Sequence, residues 1–434
     1  MSRDFDVLIV GAGAVGSVMA ALLLARKQAS PGRVAIVAER AGAAAAGSAA
    51  GHADPGGDAN DWDLRVFALS RASQRLLQSC GAWRLLPPER VFAYERMVVW
   101  DASGAPHGSG SLTFDCAEIG EPNLGFIVDG RALNEACRRA AAAAGAVGIE
   151  ASLRSVAMGG AFARIGLADG RELDGKLLIV ADGAASKTRE LLGIGTAGHA
   201  YHQDALVAHV RTAQPHRATA WQRFLPTGPL AFLPLPDGRS SIVWSVERAE
   251  ADRLRALDAA GFAAALRTAS AMVLGDVELT TRVASYPLHL QYALDYTRPR
   301  AVLLGDAAHT IHPLAGQGLN LGLLDCASLA EELGEAGDPD LLGDYRLLRR
   351  YERRRKSENL LAATALDGLE RLFATPGPIA GPLRKYGLEA VGKLPFIKRR
   401  LAQRALGLVG DVPDFLRSEA AGSTATGDRA WPRR

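Results

Sequence analysis

Residues 7–24, VLIVGAGAVGSVMAALLL, join a β-branched run to a long apolar run through three glycines. Val7–Val10 is typical of a buried strand, and the residues after the last glycine have the composition of a helix. Glycines with G-x-G-x-x-G spacing in this setting bind a dinucleotide, whose pyrophosphate lies at the helix N-terminus. The residues concerned are Gly11, Gly13 and Gly16, with Ala14 and Val15 between them. The stretch therefore predicts a Rossmann-like domain.

An acidic side chain about twenty residues beyond such glycines usually holds a ribose. Glu39, followed by Arg40, is the candidate here, after a second strand predicted at 33–37. The alternative is a solvated loop carboxylate, because Glu39 follows Val37 by two positions. A second G-x-G-x-x-G, at 193–198, follows a short predicted helix and is not followed by a long one, so we interpret it as a loop. The glycine pattern alone does not distinguish FAD from NAD(P).

The bulk composition limits the possible classes of protein. The chain has 434 residues, 50 Lys plus Arg against 47 Asp plus Glu, and a formal net charge of +3. This length predicts two domains, and this charge balance argues against a nucleic-acid partner. Four scattered cysteines without a CxxC pair indicate reduced thiols in a cytoplasmic protein. We expect no membrane-spanning segment, because no eighteen uncharged apolar residues run together.

The order of elements predicts an α/β fold with an inserted domain. A βαβ region opens the chain, strands broken by Pro and Gly turns fill its middle, and helices dominate after Leu304. A discontinuous dinucleotide-binding domain is predicted at 1–75, 105–190 and 296–360. A mostly antiparallel β-sheet substrate domain is predicted at 76–104 and 191–295, a C-terminal helical region at 361–420, and a disordered tail at 421–434. The Ala/Gly-rich segment 41–60 is predicted to be a mobile loop.

A second motif, LLIVADGAASKTR at 177–189, is a buried strand that ends at an Asp-Gly pair. Asp182 lies at the carboxyl end of that strand, where ligands of open α/β sheets collect. Ser186 is placed to cap the helix that carries Arg189. An ordinary strand–helix junction is an equally good interpretation of these residues alone.

A third motif, GDAAHTIHPLAGQGLNLG at 305–322, follows the apolar run 301–304 and contains one carboxylate and four glycines. Asp306 is placed to accept hydrogen bonds from a polyol chain, and Pro313 stiffens the loop. Gly316 and Gly318 lack side chains where a planar ring could approach. A helix from about Gln317 to Leu333 would point its N-terminal amides at that ring. The alternatives are capping by Asn320 and hydrogen bonding within the loop by His309 and His312; no metal site is predicted.

Together the three motifs resemble those of class A flavoprotein monooxygenases with the para-hydroxybenzoate hydroxylase fold. Within that group, HPLAGQGLNLGLLD at 312–325 is similar to the signature of the ubiquinone-biosynthesis hydroxylases. The segments 63–83, 124–133 and 221–235 are similar to the same family, so the resemblance covers nearly the whole chain.

The resemblance implies that the nucleotide is FAD. The motif glycines would line its pyrophosphate, Arg131 and Asp182 would lie near it, and Asp306 would bind its ribityl chain. Gly318, Leu319 and Asn320 would contact the isoalloxazine ring through their backbone. One departure is visible: the chain has Ala38 where the family places its acidic residue.

The resemblance also implies a reaction. Reduced FAD and O2 would form a C4a-hydroperoxide that hydroxylates a polyprenylated phenol of ubiquinone biosynthesis, with NAD(P)H or a ferredoxin-type protein as electron donor. No catalytic side chain is assigned. Trp221, Phe232 and Trp244 are candidates for the substrate pocket, with plain sheet core as the alternative. The open alternatives for the whole chain are a hydroxylase of another phenol and a catalytically silent scaffold of a quinone-biosynthesis complex.

Two basic regions, 349–356 and 384–404, indicate a possible docking surface. The second mixes apolar and basic residues, as segments that lie on an anionic membrane surface do. We expect peripheral contact with the inner face of the cytoplasmic membrane or docking onto other quinone-biosynthesis proteins. A solvated helix face is the alternative for both regions.

Overall fold

Strand β1 (Arg3–Val10) runs through the middle of an eight-stranded sheet, and Val7, Leu8 and Ile9 are fully buried. The structure is a computed structural model that describes residues 3–39, 61–108, 110–311, 317–335, 338–374 and 394–417. The spatial order of the main path is β18 (Thr297–Arg298), β19 (Ala301–Leu303), β11 (Glu172–Val180), β1, β2 (Val34–Ala38) and β8 (Val147–Glu150). From β19 to β8 the neighbours are parallel, as expected of strands buried on both faces. The strands β9 (Leu153–Met158) and β10 (Ala163–Leu167) extend β11 in antiparallel pairing.

Among the described residues, five helices of nine residues or more contribute to the core of this sheet's domain. They are α1 (Ala14–Ala25), α2 (Arg71–Ser79), α4 (Gly130–Ala144), α8 (Gln317–Glu335) and α9 (Tyr345–Ala374). Helix α1 packs against α4 and α8, and its Val18, Met19 and Leu22 are fully buried. The predicted strand–glycine turn–helix at the start of the chain is therefore present. A small antiparallel sheet of β3 (Val66–Leu69), β7 (Gly125–Asp129) and β4 (Val91–Tyr94) lies in the same part of the chain.

A nine-stranded sheet forms the inserted domain. Its order is β20 (His309–Thr310), β17 (Ala284–Ala293), β12 (Thr196–Thr212), β15 (Ser240–Glu247), β14 (Gly228–Pro234), β13 (Thr219–Leu225), β5 (Arg96–Asp101) and β6 (Ser111–Asp115), and β16 (Val277–Leu279) pairs with β12. All neighbours are antiparallel except β13 and β5. Helices α6 (Arg248–Arg255) and α7 (Ala259–Ala269) enclose a second core with one face of the sheet. The predicted α/β fold with an inserted antiparallel sheet is confirmed.

The domain boundaries differ in detail from those expected. Strands β5 and β6 form an antiparallel pair in the large sheet, so this pair straddles the expected boundary between residues 104 and 105. Helix α2 likewise crosses the boundary between 75 and 76. The second glycine pattern, at 193–198, runs into β12, so its last three residues are strand and not the expected loop; as expected, no helix follows it.

The remaining helices are short. They are α3 (Cys116–Ile119), α5 (Lys187–Leu191), α10 (Pro395–Ala405) and α11 (Asp414–Arg417), and 3-10 turns span Trp83–Leu85, Pro88–Arg90, Gly305–Ala307 and Pro339–Leu341. Helix α10 packs on α3 through a small apolar cluster that includes Ile119 and Ala402. None of the helices in the described part of the chain is long and apolar enough to cross a membrane. The predicted loop at 41–60 and the predicted tail at 421–434 lie outside the described residues.

Candidate cofactor and substrate site

The first glycine turn is held where three strands end. Gly11 has a φ of +114°, and its N–H donates to the Val37 carbonyl at 2.8 Å. A Cβ at Gly11 would lie 2.2 Å from the carbonyl oxygen of Ala181, and one at Gly16 would lie 2.1 Å from that of Gly11. Both positions therefore require glycine because backbone crosses backbone there.

Gly13 has a different environment. A Cβ at Gly13 would meet no atom of the described residues within 4 Å. Gly13 is the N-cap of α1, where no side chain of the described residues accepts from the helix amides and no acidic residue occupies the first turn. The positive end of α1 is thus left for an exogenous anion, and a pyrophosphate fits this position.

A cavity of about 1280 Å³ opens beside this turn. It is larger than the roughly 300–1,000 Å³ of a typical small-molecule site, which leaves room for a dinucleotide and a second ligand. The three motifs meet in this cavity. The predicted cofactor-binding residues that line it are Gly11, Gly13, Ala14, Val15, Glu39, Asp182, Asp306, Gly318, Leu319 and Asn320.

The Asp182 loop is fixed by its own helix. The Asp182 carboxylate accepts from Thr188 through the backbone N–H at 3.2 Å and the side-chain hydroxyl at 2.7 Å. Ser186 caps α5 as predicted, because its Oγ accepts from the Arg189 N–H at 2.9 Å. Asp182 therefore shapes the rim of the cavity as well as facing it.

Arg189 joins two of the motifs, a role that the sequence interpretation missed. Its buried guanidinium donates to the carbonyls of Ala184 and Ala307, at 3.0 Å each, and it lines the cavity. The loops that carry Asp182 and Asp306 are thereby held together. The sequence showed only a helical arginine near Ser186; its bond to a residue 118 positions away depends on tertiary structure.

A buried charged group around Asp325 fixes the turn that carries Asp306. Gly305, with a φ of +57°, donates its N–H to Asp325 Oδ2 at 3.1 Å. The same carboxylate is bonded to His309 Nε2 at 2.6 Å and to Arg355 Nε at 2.9 Å. Burial favours the neutral acid, but His309 and Arg355 outweigh burial and lower the pKa of Asp325 to about 2. The buried ion pair thus positions the backbone that presents Asp306 to the cavity.

Asn320 divides its functions between side chain and backbone. Its buried amide oxygen accepts from Ser70 N at 2.9 Å and from Ser73 Oγ at 2.7 Å, and its amide nitrogen donates to Ala68 O at 2.8 Å. The side chain therefore ties α8 to the start of α2. The backbone of Gly318, Leu319 and Asn320 remains at the cavity wall, where the resemblance placed a flavin ring.

The remaining predicted cofactor-binding residues do not all lie at the cavity. Glu39 lies at the cavity with its Oε1 3.8 Å from Lys187 Nζ. Arg131 is exposed at the second position of α4 and is not among the lining residues, so its contact with FAD stays a prediction. Arg40, Pro313 and Gly316 lie outside the described residues, and so does His312.

The large sheet forms the far wall of the cavity with one of its faces. Side chains alternate along a strand, so Ala205 and Val207 of β12 face the cavity and Leu206 and Ala208 face the helix-covered core. The cross-strand registers carry the same alternation into β14 and β15, where Ala231 and Val243 face the cavity.

This alternation corrects the expectation for the aromatic residues. Phe232 and Trp244 occupy the opposite parity and pack in the core beneath α6 and α7, so they do not line the cavity. Trp221 borders the cavity, but it is paired with Phe232 and its ring packs edge-on against Trp100 at 6.3 Å. On β12, β14 and β15 the side chains that face the cavity are instead smaller, such as Ala205, Ala231 and Val243.

Apolar side chains at and near α10 also line the cavity, and we refer to this part of its lining as the apolar branch. Its walls come from the small sheet, β5, β6 and the C-terminal segment. The residues are Tyr94, Met97, Phe114, Leu124, Leu401, Ala402, Ala405 and Leu406. Leu401 is both lining and exposed, so the branch reaches the surface along α10.

Comparison with known proteins identifies the family. The family of the FAD binding domain matches residues 143–362. Over 412 residues the chain is 33% identical to 3-demethoxyubiquinol 3-hydroxylase of Escherichia coli (strain K12), covering 94% of this chain and 100% of the relative. It is 36% identical over 411 residues to ubiquinone hydroxylase UbiL of Rhodospirillum rubrum, and the match covers 93% of this chain and 89% of the relative. The chain belongs to the ubiquinone-biosynthesis family of FAD-dependent hydroxylases.

Solved structures agree with this family at the level of the fold. The p-nitrophenol 4-monooxygenase PnpA from Pseudomonas putida DLL-E4 superposes with a TM-score of 0.72 at 16% identity, covering 94% of this chain and 99% of that one. PqsL of P. aeruginosa superposes with a TM-score of 0.69 at 23% identity, covering 89% and 100%. As a member of the family, the chain is an FAD-dependent monooxygenase, and the uncapped α1 N-terminus beside Gly13 fits the FAD pyrophosphate.

Proposed function

We propose that this hydroxylase inserts one oxygen atom from O2 into the ring of a polyprenylated phenol or quinol precursor of ubiquinone. The names of two relatives support the class of substrate, because one is a 3-demethoxyubiquinol 3-hydroxylase and the other a ubiquinone hydroxylase.

One observation carries the proposal: a single cavity joins the three FAD motifs to the face of the large sheet and to the apolar branch at α10. An aromatic ring between the flavin site and the sheet would have its hydrocarbon tail in that branch. Burying such a tail is favourable by about 0.8 kcal/mol per CH₂ group, so a prenyl chain would dominate the affinity.

The protein's own groups bind and orient the reactants. The α1 amides beside Gly13 would hold the pyrophosphate, Asp306 the ribityl chain, and the backbone at 318–320 the ring system. FAD, when bound, supplies the chemistry that activates O2. The apolar wall at Ala231 and Val243 excludes water from the reacting ring.

An isotope experiment tests the activity. The FAD-loaded protein would be given ¹⁸O2 with either NAD(P)H or a reduced ferredoxin, together with prenylated phenols that lack one ring oxygen. We expect mass spectrometry to detect products that carry one ¹⁸O atom. Turnover of short phenols but of no prenylated phenol would favour another phenolic substrate, and oxygen uptake without any labelled product would favour a scaffold.

The apolar branch has its own test within this experiment. Ala405 is exposed on α10 and lines the branch, so Ala405→Trp should block a long tail without crowding the core. Gln403→Trp, two residues away and not among the lining residues, is the matched control. We expect Ala405→Trp to reduce turnover of a long-tailed phenol at least tenfold and to leave a tail-free phenol unaffected. Equal effects of the two variants on the long-tailed phenol would refute the tail assignment.

We also propose that α10 contacts an anionic membrane surface. Phe396 and Leu401 are 71% and 47% exposed, and Arg399 and Arg400 are exposed on the same helix. Apolar side chains flanked by cations are typical of interfacial helices. The residues at 384–393 lie outside the described part of the chain.

The proposed surface does not include the other basic region, 349–356, because most of its arginines are paired with carboxylates. Arg349 pairs with Glu352, and Arg354 pairs with Asp411 and Glu331. This region binds α9 to its neighbours.

A further inference from the structure

His209 is a buried histidine without a hydrogen-bond partner for its ring. It lies in β12 with 0% exposure, and neither ring nitrogen has a partner among the described residues. Only its backbone is bonded, with the N–H donating to Thr281 Oγ1 at 2.8 Å. A buried polar group left unpaired destabilises the fold, so its presence calls for a ligand or an ordered water.

Ser241 is the neighbour of His209 on the same face of the sheet. Because Ala205 and Val207 face the cavity, His209 has the same parity, and the register pairs it with Ser241 of β15. Ser241 lines the cavity, and its buried hydroxyl also has no partner among the described residues. Directly opposed residues have Cβ atoms about 4.5–5.5 Å apart, within reach of a side-chain hydrogen bond.

The charged groups near His209 are Arg239, Asp61, Asp237 and Asp129, and each of them belongs to an ion pair. Burial is the main cause that lowers the pKa of His209 to about 4, so the imidazole is neutral at physiological pH. The nearby Arg239 is paired with Asp61 at 2.5 Å and with Asp237 at 2.7 Å. A neutral imidazole has one donor and one acceptor, and a hydroxyl can be either. The site therefore suits a neutral oxygen group and not a carboxylate.

We infer that Ser241 binds a hydroxyl group on the substrate ring, with His209 as the positioning residue that accepts a hydrogen bond from the Ser241 hydroxyl when the ring is bound; the structure without substrate does not contain this bond. Ser241 Oγ then accepts from the hydroxyl of a phenol or quinol. This inference rests on the proposed function, and it assigns the polar end of the cavity, opposite in character to the apolar branch at α10. The inference therefore predicts the orientation of the substrate ring, with its hydroxyl group at Ser241 and its tail in the apolar branch.

The test compares two probes that differ by one oxygen, 2-geranylphenol and geranylbenzene, binding to the FAD-loaded protein. Binding is measured by the change in flavin absorbance. One hydrogen bond corresponds to about a two- to twelve-fold preference for the phenol in the wild type. Ser241→Ala should abolish that preference.

Ser240→Ala is the matched control. Ser240 is equally buried and its hydroxyl also lacks a partner among the described residues, but it pairs with Val210 on the helix-covered face. We expect this variant to keep the preference for the phenol.

Two variants of His209 separate positioning from folding. His209→Leu removes the unpaired imidazole, so its melting temperature should be equal to or higher than that of the wild type while the preference for the phenol is lost. His209→Gln retains an acceptor and should restore part of the preference. A merely structural histidine would give no such rescue.

The outcomes distinguish this inference from the proposed function. If the wild type binds both probes equally, the polar subsite is wrong and the proposed function stands. If Ser240→Ala and Ser241→Ala have the same effect, the subsite is also wrong. If the wild type binds neither probe, both the subsite and the prenylated substrate are wrong.

Discussion

Replacing Asp325 by Asn tests whether the buried ion pair supports the flavin site. Asp325 has no exposed surface and receives hydrogen bonds from Gly305, His309 and Arg355. A second amide donor, Asn359 Nδ2, lies 3.1 Å from Oδ1. Asn cannot replace this arrangement, because it offers one oxygen and adds donors of its own.

The expected loss in the free energy of unfolding follows from the charge and burial of Asp325. The pKa of Asp325 falls from 3.8 to about 2, and at about 1.36 kcal/mol per pKa unit its interactions are worth roughly 2.5 kcal/mol. The substitution also leaves the Arg355 guanidinium, 1% exposed, without its counter-ion. Breaking one side of a buried pair typically costs about 3–5 kcal/mol, and we expect Asp325→Asn to lower the free energy of unfolding by that amount.

The sign of the pH dependence is set by the lowered pKa. Because the carboxyl is more acidic in the folded protein, its contribution is fully present above about pH 4 and is lost as the pH falls through about 2. The destabilisation by Asp325→Asn should therefore be constant near neutral pH. Between pH 4 and pH 2 the difference between variant and wild type should shrink.

The assay combines denaturant unfolding of the FAD-free protein with a fluorescence titration of FAD. Asp174→Asn is the control, because Asp174 is also largely buried but its bidentate partner Arg164 has 38% of its side chain exposed. That pair should contribute less than about 1 kcal/mol. Asp325→Asn should also weaken FAD binding, since Gly305 presents Asp306. Equal stabilities of the two variants, or unchanged FAD affinity in Asp325→Asn, would refute the reasoning.

Four further predictions follow from individual residues. Gly13→Ala should leave the thermal stability of the FAD-free protein within about 1 kcal/mol of the wild type and weaken FAD binding at least tenfold, since its Cβ enters open space at the pyrophosphate position. Gly11→Ala should instead destabilise the FAD-free protein by about 2–5 kcal/mol in a melting experiment, because it combines a clash with a positive φ. Exchanging Arg399 and Arg400 for Glu should abolish sedimentation with vesicles that contain anionic lipid; unchanged binding would exclude α10 as the contact. Folding lowers the pKa of His209 from 6.5 to about 4. As the pH falls from 6.5 to 4, the free energy of unfolding of the wild type should therefore decrease by roughly 3 kcal/mol because of this residue. His209→Leu should remove that part of the pH dependence.

The sequence predicted those features that neighbouring residues determine. The turn at Gly11 and the cap at Ser186 depend on a few consecutive positions, and both are present. The order of strands and helices follows from hydrophobic periodicity, which is also local. Such patterns were sufficient to place Asp182 and Asp306 at the ends of two strands of one sheet.

Features that depend on which face meets which neighbour were not predictable in the same way. A strand shows two faces, and nothing local says which one meets the cavity, so Phe232 and Trp244 were assigned to the wrong side. Asp325 falls within an otherwise apolar helix face, and its partner Arg355 is 30 residues away inside a run of basic residues. The composition of that run suggested a surface, whereas the contacts of Arg355 and Arg354 bury or neutralise it.

The motif glycines fall into two groups, those that the fold itself requires and those that it does not. Gly11 and Gly16 are explained by the protein itself, because backbone oxygens occupy the space of a side chain at each. Gly13 and Gly318 line the cavity, and no atom of the described residues lies within 4 Å of a Cβ built there. Nothing in the fold forbids alanine at those two positions, so their small size has to serve something that the chain does not contain. The positions where the fold gives no reason for the residue are therefore those that indicate a ligand, and His209, unpaired on the cavity side of the sheet, is a third residue of this kind.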